Sequence, residues 1–246
     1  MSLVGRRGSR ILTNFIYDTV IASSPSGTAD ANSLVDFVYR VLLSALFLRG
    51  ETKAKASLLE VPKSWVVSLS GSSHSKKVNG TAASIISRPT WVKWTTYTAP
   101  EIIRGISTFY HAAIFSPAHP FRQNALQPLA LPQLDQENLF WSSAVDPVSL
   151  SIACLPSGLG GKWYRLYCSD QDGLSFLSFQ KGLQSYAGAT VMLIRTKNMA
   201  VFGFYTDCPW KDSRSWFGGE GFDSYLFRLD PVLSVYGPTY EGKGQY

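Results

Sequence analysis

Apolar residues recur every three or four positions between Leu34 and Leu48, at Leu34, Val35, Val38, Val41, Leu42, Ala45 and Leu48. That spacing puts them on one face of a helix and predicts a core helix that needs a partner. The preceding stretch, Ser23 to Asn32, mixes Ser, Pro, Gly, Thr and Asp and reads as a loop. Asp30, Asn32 or Ser33 can each cap the helix by accepting a bond from a free backbone N–H, and Gly50 is the expected stop. The stretch Ser57 to Leu69 is read as a short helix after Pro62, and the polar run Gly71 to Gly80 as turns. From Ser84 to Phe115 the chain is aromatic and aliphatic, with Trp91, Trp94, Tyr97, Ile102, Ile103, Ile106, Phe109 and Tyr110. Pro100 and Glu101 suit the first turn of a helix to about Ala113, because proline loses no hydrogen bond there.

Pro117, Pro120, Pro128 and Pro132, with the polar run Gln133 to Asn138, disfavour regular structure and predict a linker. Beyond it the period changes from helical to strand-like, so a boundary is placed near residue 145. The expected organisation is a helical region at 1–116, a Pro-rich linker at 117–145 and a β-rich domain at 146–246. Within the last, Trp163 to Cys168 reads as a strand, Asp172-Gly173 as a turn, and Ser175 as the cap of a short helix with Phe176, Phe179 and Leu183 on one face. Val191 to Arg195 and Val201 to Tyr205 read as a hairpin joined through Lys197, Asn198 and Met199. Ser224 to Leu229 alternates Tyr225, Phe227 and Leu229 against Ser224 and Arg228, and Pro231 ends it.

The net charge of +6 is uneven, with 13 Lys and Arg against 6 acids up to residue 110 and 10 against 11 beyond it. A basic half can face phosphates, but no Lys or Arg run exceeds two residues and no recognition motif accompanies them, so no nucleic-acid partner is expected. The first seventeen residues hold Arg6, Arg7 and Arg10 and no acid, a composition shared by mitochondrial presequences and unstructured basic tails. Gly5 and Gly8 spoil an amphipathic face, which favours the tail. No apolar stretch approaches the length needed to cross a bilayer, since Asp36 and Arg40 interrupt the best run, and a soluble cytoplasmic chain is expected.

Cys154, Cys168 and Cys208 are too few and too widely spaced for a disulfide scaffold or a structural zinc site. His74, His111 and His119 all lie upstream of residue 146, so no nucleophile, base and orienting group are expected to converge in the β-rich domain. Neither a catalytic set, a metal site, a cofactor nor a small-molecule substrate is expected. The glycines Gly218, Gly219 and Gly221 lead into a strand and not a helix, which argues against a dinucleotide loop. Asn79-Gly80-Thr81 is read as a turn and not as a glycosylation site, since no signal peptide precedes it.

Four segments in order carry a family resemblance: Lys162-Trp-Tyr-Arg-Leu-Tyr-Cys-Ser-Asp-Gln-Asp-Gly-Leu-Ser-Phe; Ala200-Val-Phe-Gly-Phe-Tyr with Pro209-Trp-Lys; Trp216-Phe-Gly-Gly; and Ser224-Tyr-Leu-Phe-Arg-Leu-Asp-Pro with Val235-Tyr236. From Ser149 to Tyr246 the chain resembles the first half of a TLDc domain, the module of the oxidation resistance protein family. The resemblance implies a sandwich of two antiparallel sheets with short helices, protection against oxidative stress, and association with the peripheral stalk of the vacuolar proton-pumping ATPase. Such a partner would bring the chain to vacuolar or lysosomal membranes. Glu220-Gly221-Phe222 is an insertion relative to the family pattern, and the family's domain continues well past the point matched by Tyr246.

The resulting expectation is an α+β protein, a helical N-terminal region followed by a partial antiparallel β-sandwich, serving as a non-enzymatic interaction module. Trp210, Trp216, Phe217 and Asp223 are its candidate partner-binding residues. Each has a second reading: the aromatics as plugs for the open edge of the sandwich, Asp223 as a loop anchor accepting backbone N–H bonds. The rival function is a redox-defence enzyme using Cys168 or Cys208, against which Asp207 beside Cys208 counts by disfavouring a thiolate. A third reading is a truncated product with little function of its own. Unpaired strand edges would favour self-association.

Overall fold

The computed structural model describes residues 3–47, 61–71, 85–99, 102–103, 105–107, 110, 132–135, 145–153, 161–184, 186–211 and 224–237. Helices α1 (Leu3–Ser23), α2 (Ala31–Phe47), α3 (Lys63–Gly71) and α4 (Arg88–Tyr97) come first. A short strand β1 (Pro132–Leu134), helix α5 (Pro147–Ala153), strand β2 (Gly161–Trp163), and helices α6 (Ser169–Asp172) and α7 (Phe176–Gln184) follow. The chain then runs up and down through β3 (Thr190–Arg195), β4 (Val201–Thr206), β5 (Ser224–Asp230) and β6 (Ser234–Tyr236), an antiparallel sheet in that order. The α+β class is as the sequence predicts.

The predicted core helix is α2, and its face is the predicted one: Leu34, Val35, Val38 and Leu42 are buried. Asp30 is its cap, with its carboxylate accepting from the Ser33 N–H at 3.0 Å. The N-terminal stretch differs from the unstructured tail expected of it, for it forms helix α1. Helix α1 buries Thr13, Ile16, Tyr17 and Val20, an i, i+3, i+4, i+7 stripe that begins on a polar residue and extends past the seventeen-residue window. Ser87 and Pro89 open α4, with the Ser87 hydroxyl accepting from the Thr90 N–H at 3.3 Å. The helix expected from Pro100 is present at Ile102, Ile103, Gly105, Ile106, Ser107 and Tyr110, with Pro100 itself outside the described residues.

Two expectations for the later chain are corrected. The Pro-rich stretch contains β1, which pairs in parallel with β2 in the register Pro132 to Gly161 and Leu134 to Trp163. Proline is tolerated there because it is the first residue of a strand in a two-stranded pair, where an N–H can be spared. The strand expected at Trp163 to Cys168 ends at Trp163, and residues 164–168 run outside any ladder. The hairpin and the last long strand lie as predicted, with Val191 opposite Tyr205 and Gly203 opposite Phe227. Among the described residues no second antiparallel sheet stands against the four-stranded one.

Gly203 sits where three strands crowd together. A Cβ there would lie 2.0 Å from the Met192 carbonyl oxygen and 2.9 Å from the Phe227 ring, so no other residue fits without displacing backbone. One sheet face carries Val201, Tyr205, Phe227 and Leu229, all buried and continuous with the buried residues of the helices. The opposite face leaves Leu226 and Tyr236 more than half exposed.

Three indoles tie the helices to the later chain. Trp65, Trp91 and Trp94 are fully buried, with ring centroids 6.1 Å apart for Trp65 and Trp94 and 5.7 Å for Trp91 and Trp94. Trp91 Nε1 donates to the Thr13 carbonyl at 3.0 Å, Trp94 Nε1 to Ser68 Oγ at 2.9 Å, and Trp65 Nε1 to Ser149 Oγ at 2.6 Å. Ser68 Oγ then donates to the Leu233 carbonyl at 2.6 Å, and the Leu233 N–H donates to the Ser64 carbonyl at 3.2 Å. The turn between β5 and β6 is thereby bonded to α3.

Asp146 caps α5 beside this seam, accepting from the backbone N–H groups of Val148 and Ser149 and from the Ser149 hydroxyl. Burial raises its carboxyl above the ordinary value, and the three donors only partly offset that effect. Tyr39, whose ring meets Trp65 edge-on at 5.7 Å, is raised as well, mainly by burial and secondly by the Asp146 charge. Burial also raises Tyr17, whose hydroxyl donates to the Ile86 carbonyl at 2.6 Å.

Two tests follow from the seam. Trp65→Phe and Ser149→Ala should each cost about 1–2 kcal/mol, since each leaves a buried polar group without its partner. The double variant should fall short of the sum by about 0.5 kcal/mol or more, read from urea midpoints. Strict additivity would mean that the bond couples nothing. Asp146 gives a pH signature of defined sign. Because its folded pKa is raised, the unfolded chain loses this proton first as pH rises from 3.8, and folding stability falls until the folded pKa is passed. The stability of the wild type relative to Asp146→Asn should therefore decline across that window, and a difference that rises with pH would contradict the burial.

Candidate interaction site

Helix α7 begins just after a turn made by Gly173, whose φ of 81° suits glycine, and the Cys168 N–H donates to the Asp172 carboxylate at 2.7 Å to close that turn. The Phe179 N–H donates to the Ser175 carbonyl, the first regular bond of the helix. A Cβ on Gly182 would lie 2.6 Å from the Leu166 carbonyl oxygen, so α7 lies directly on the extended segment that follows β2. Phe179 stacks edge-on with Tyr167 at 5.3 Å and with Trp210 at 6.1 Å.

Of the four sequence-predicted binding residues, Trp210 is described; Trp216, Phe217 and Asp223 lie outside the described residues. Trp210 is half-buried, its Nε1 donates to Thr190 Oγ1 at 2.9 Å, and its ring meets Phe204 at 5.6 Å. It therefore bridges α7 to β3 and β4 by both packing and a hydrogen bond. Of the cysteines, Cys208 is buried and its N–H donates to Thr206 Oγ1 at 3.1 Å, while Cys168 is half-buried. Cys154, the three histidines, the glycines at 218–221 and the Asn79-Gly80-Thr81 turn lie outside the described residues. Among the described residues there is no group of His, Cys, Asp and Glu that could hold a metal ion, and no helix long and apolar enough to cross a membrane.

The structure adds surface that sequence reasoning did not single out. Leu174 is 91% exposed, Phe176 73%, Leu177 74% and Tyr164 67%. Sequence reading placed Phe176 on the same face as Phe179 and Leu183, and the three do form a gradient from exposed to half-buried to buried. No sequence signal marks this exposure, since neighbours about 100° apart on a helix can share one inward stripe, as Ile16 and Tyr17 do. Tyr164, Leu174 and Phe176 of this ridge also line a cavity of about 920 Å³, together with β3, Phe179, Tyr186 and Trp210.

The fold and this site define a class: a helix-capped antiparallel meander presenting an apolar ridge and a cleft. The family model of the TLDc domain matches residues 147–246, the segment in which α5 to β6 lie, and the resemblance seen in the sequence is thereby shown. That family is one of regulatory domains related to oxidative stress.

The Trp210 bridge can be tested by stability. Trp210→Phe keeps a ring against Phe204 and loses only the bond to Thr190, so it should cost about 1 kcal/mol. Trp210→Ala should cost about 3 kcal/mol by also removing the packing. Equal, negligible shifts in urea midpoint would show that the indole is a surface group.

Proposed function

We propose that the segment matched by the TLDc family is a non-enzymatic interaction and regulatory module, serving oxidative-stress protection by engaging the peripheral stalk of the vacuolar proton-pumping ATPase. The observation that carries the interaction reading is the ridge of Leu174, Phe176, Leu177 and Tyr164, each more than two-thirds exposed. Exposed large apolar side chains gathered beside a cleft favour a partner, because covering them removes apolar area from water. The family match supports the stress-related role and, through the resemblance, the choice of partner. In this reading the protein works in the cytoplasm, at vacuolar or lysosomal membranes through that partner.

The experiment is capture of the purified stalk by the full chain. Phe176→Ala and Leu177→Ala, which remove exposed side chains, should leave the melting temperature nearly unchanged and weaken capture by about 2 kcal/mol where the residue is an anchor. Removal of residues Trp210 packs against is a poorer test, since it would disturb the fold. Undiminished capture by both ridge variants would displace the ridge from the interface, and no capture by the wild type would remove the stalk as partner. Hydrogen peroxide consumption that disappears in Cys168→Ser or Cys208→Ser, with folding intact, would instead favour the redox enzyme.

A further inference from the structure

Helices α1 and α4 pack side by side in opposite directions. Arg88 pairs with Asp18, and Trp91, three residues on, bonds the Thr13 carbonyl, so the numbering of α4 rises as that of α1 falls. Each helix turns one face to the core: Thr13, Ile16, Tyr17 and Val20 on α1, and Trp91, Trp94 and Thr95 on α4. The opposite faces also carry apolar side chains. Ile11 and Phe15, four residues apart on α1, and Tyr97 on α4 are each more than half exposed. Cations stand with them, for Arg10 precedes Ile11 and Lys93 lies one turn before Tyr97, both exposed. The two helices together hold Arg6, Arg7, Arg10, Arg88 and Lys93 against one acid, Asp18, and that acid is paired with Arg88. With every acid up to residue 110 counted, wherever it lies, the region still has 13 Lys and Arg against 6.

From this arrangement we infer that the outward face of α1 and α4 is a docking site for the surface of an anionic lipid bilayer. Positive charge draws the face to acidic headgroups, and Ile11, Phe15 and Tyr97 then enter the boundary between headgroups and acyl chains. Charge alone would suit any polyanion. The apolar side chains decide for lipid, because a phosphate backbone offers them no apolar phase to enter. A second copy is a poor occupant of the same face, since it would bring like charges together. Ile16, Val20 and Trp91 anchor the two helices in the core, so the face exists before binding and little ordering is left to offset the contact. The site lies outside residues 147–246 and is independent of the function proposed for that segment.

The probe is phosphatidylcholine vesicles holding about 30% phosphatidylserine, co-sedimented with the full chain and compared with vesicles of phosphatidylcholine alone. The acidic vesicles should bind about tenfold or more tighter, and about 0.5 M salt should cut that advantage to about threefold or less. Arg10→Gln and Lys93→Gln should each weaken the binding about fivefold. Ile11→Ser and Phe15→Ser should weaken it by a similar factor with the melting temperature nearly unchanged, since both side chains already stand largely in water. Should Phe15→Ser not fold, Ile11→Ser and Tyr97→Ser carry the test. Equal binding to the two kinds of vesicle, or binding that ignores Ile11→Ser at matched stability, overturns the inference. So do absence of vesicle binding, a mixed-sequence DNA duplex held tighter than the acidic vesicles, and a dimer in size exclusion that Ile11→Ser dissociates. Stalk capture without vesicle binding would leave the proposed function standing and remove this site; vesicle binding without stalk capture would do the reverse.

Discussion

Three buried indoles set the terms for the rest of the structure. Each brings a large apolar body into the core together with one N–H that must find an acceptor, because an unpaired buried donor costs about 1–3 kcal/mol. Trp91 finds a carbonyl of α1, which fixes where α4 crosses it. Trp94 and Trp65 find hydroxyls, and a hydroxyl can accept one bond while donating another. Ser68 passes its bond to Leu233 and Ser149 passes its own to Asp146, so satisfying two tryptophans of the helical region positions two segments of the later chain. The core continues across the same seam, from Leu42 and Trp65 to Val148, Phe227 and Leu233.

That coupling explains which parts of the fold could be seen in the sequence. Elements whose order is local were legible: α2 from its apolar spacing, the β3–β4 hairpin from two apolar runs and a short polar joint, β5 from alternation and its terminal proline. Elements ordered from a distance were not. The stripe of α1 starts at Thr13, a polar residue that is buried because its carbonyl is the acceptor for Trp91, 78 positions away. β1 has no periodicity to find, since three residues beginning with proline form a strand only when β2 lies alongside. The strand expected at Trp163 to Cys168 has suitable residues, yet the ladder with β1 ends at Trp163, which illustrates that strand propensity depends on tertiary pairing.

The candidate site was partly legible for the same reason. Trp210 stood out as an aromatic in a polar, turn-rich stretch, and the structure joins it to Thr190, Phe204 and Phe179. The ridge at Leu174, Phe176 and Leu177 was obscured by its sequence, because apolar residues at the start of a helix are ordinarily read as inward facing. The cavity beside β3 could not have been read at all, because it is lined by segments distant in sequence, residues 162–170 and β3 among them.

Ridge and cavity share α7, whose Phe176, Phe179 and Leu183 line the cavity, and that arrangement links stability to recognition. Phe179 holds α7 against Tyr167 and Trp210 from the inside, while Phe176 and Leu177, less than one turn earlier, stand in solvent. Gly182 keeps the helix close enough to the 164–168 segment that this wall of the cavity cannot shift without moving the helix. A partner covering the ridge would therefore press on the element that sets the width of the cavity.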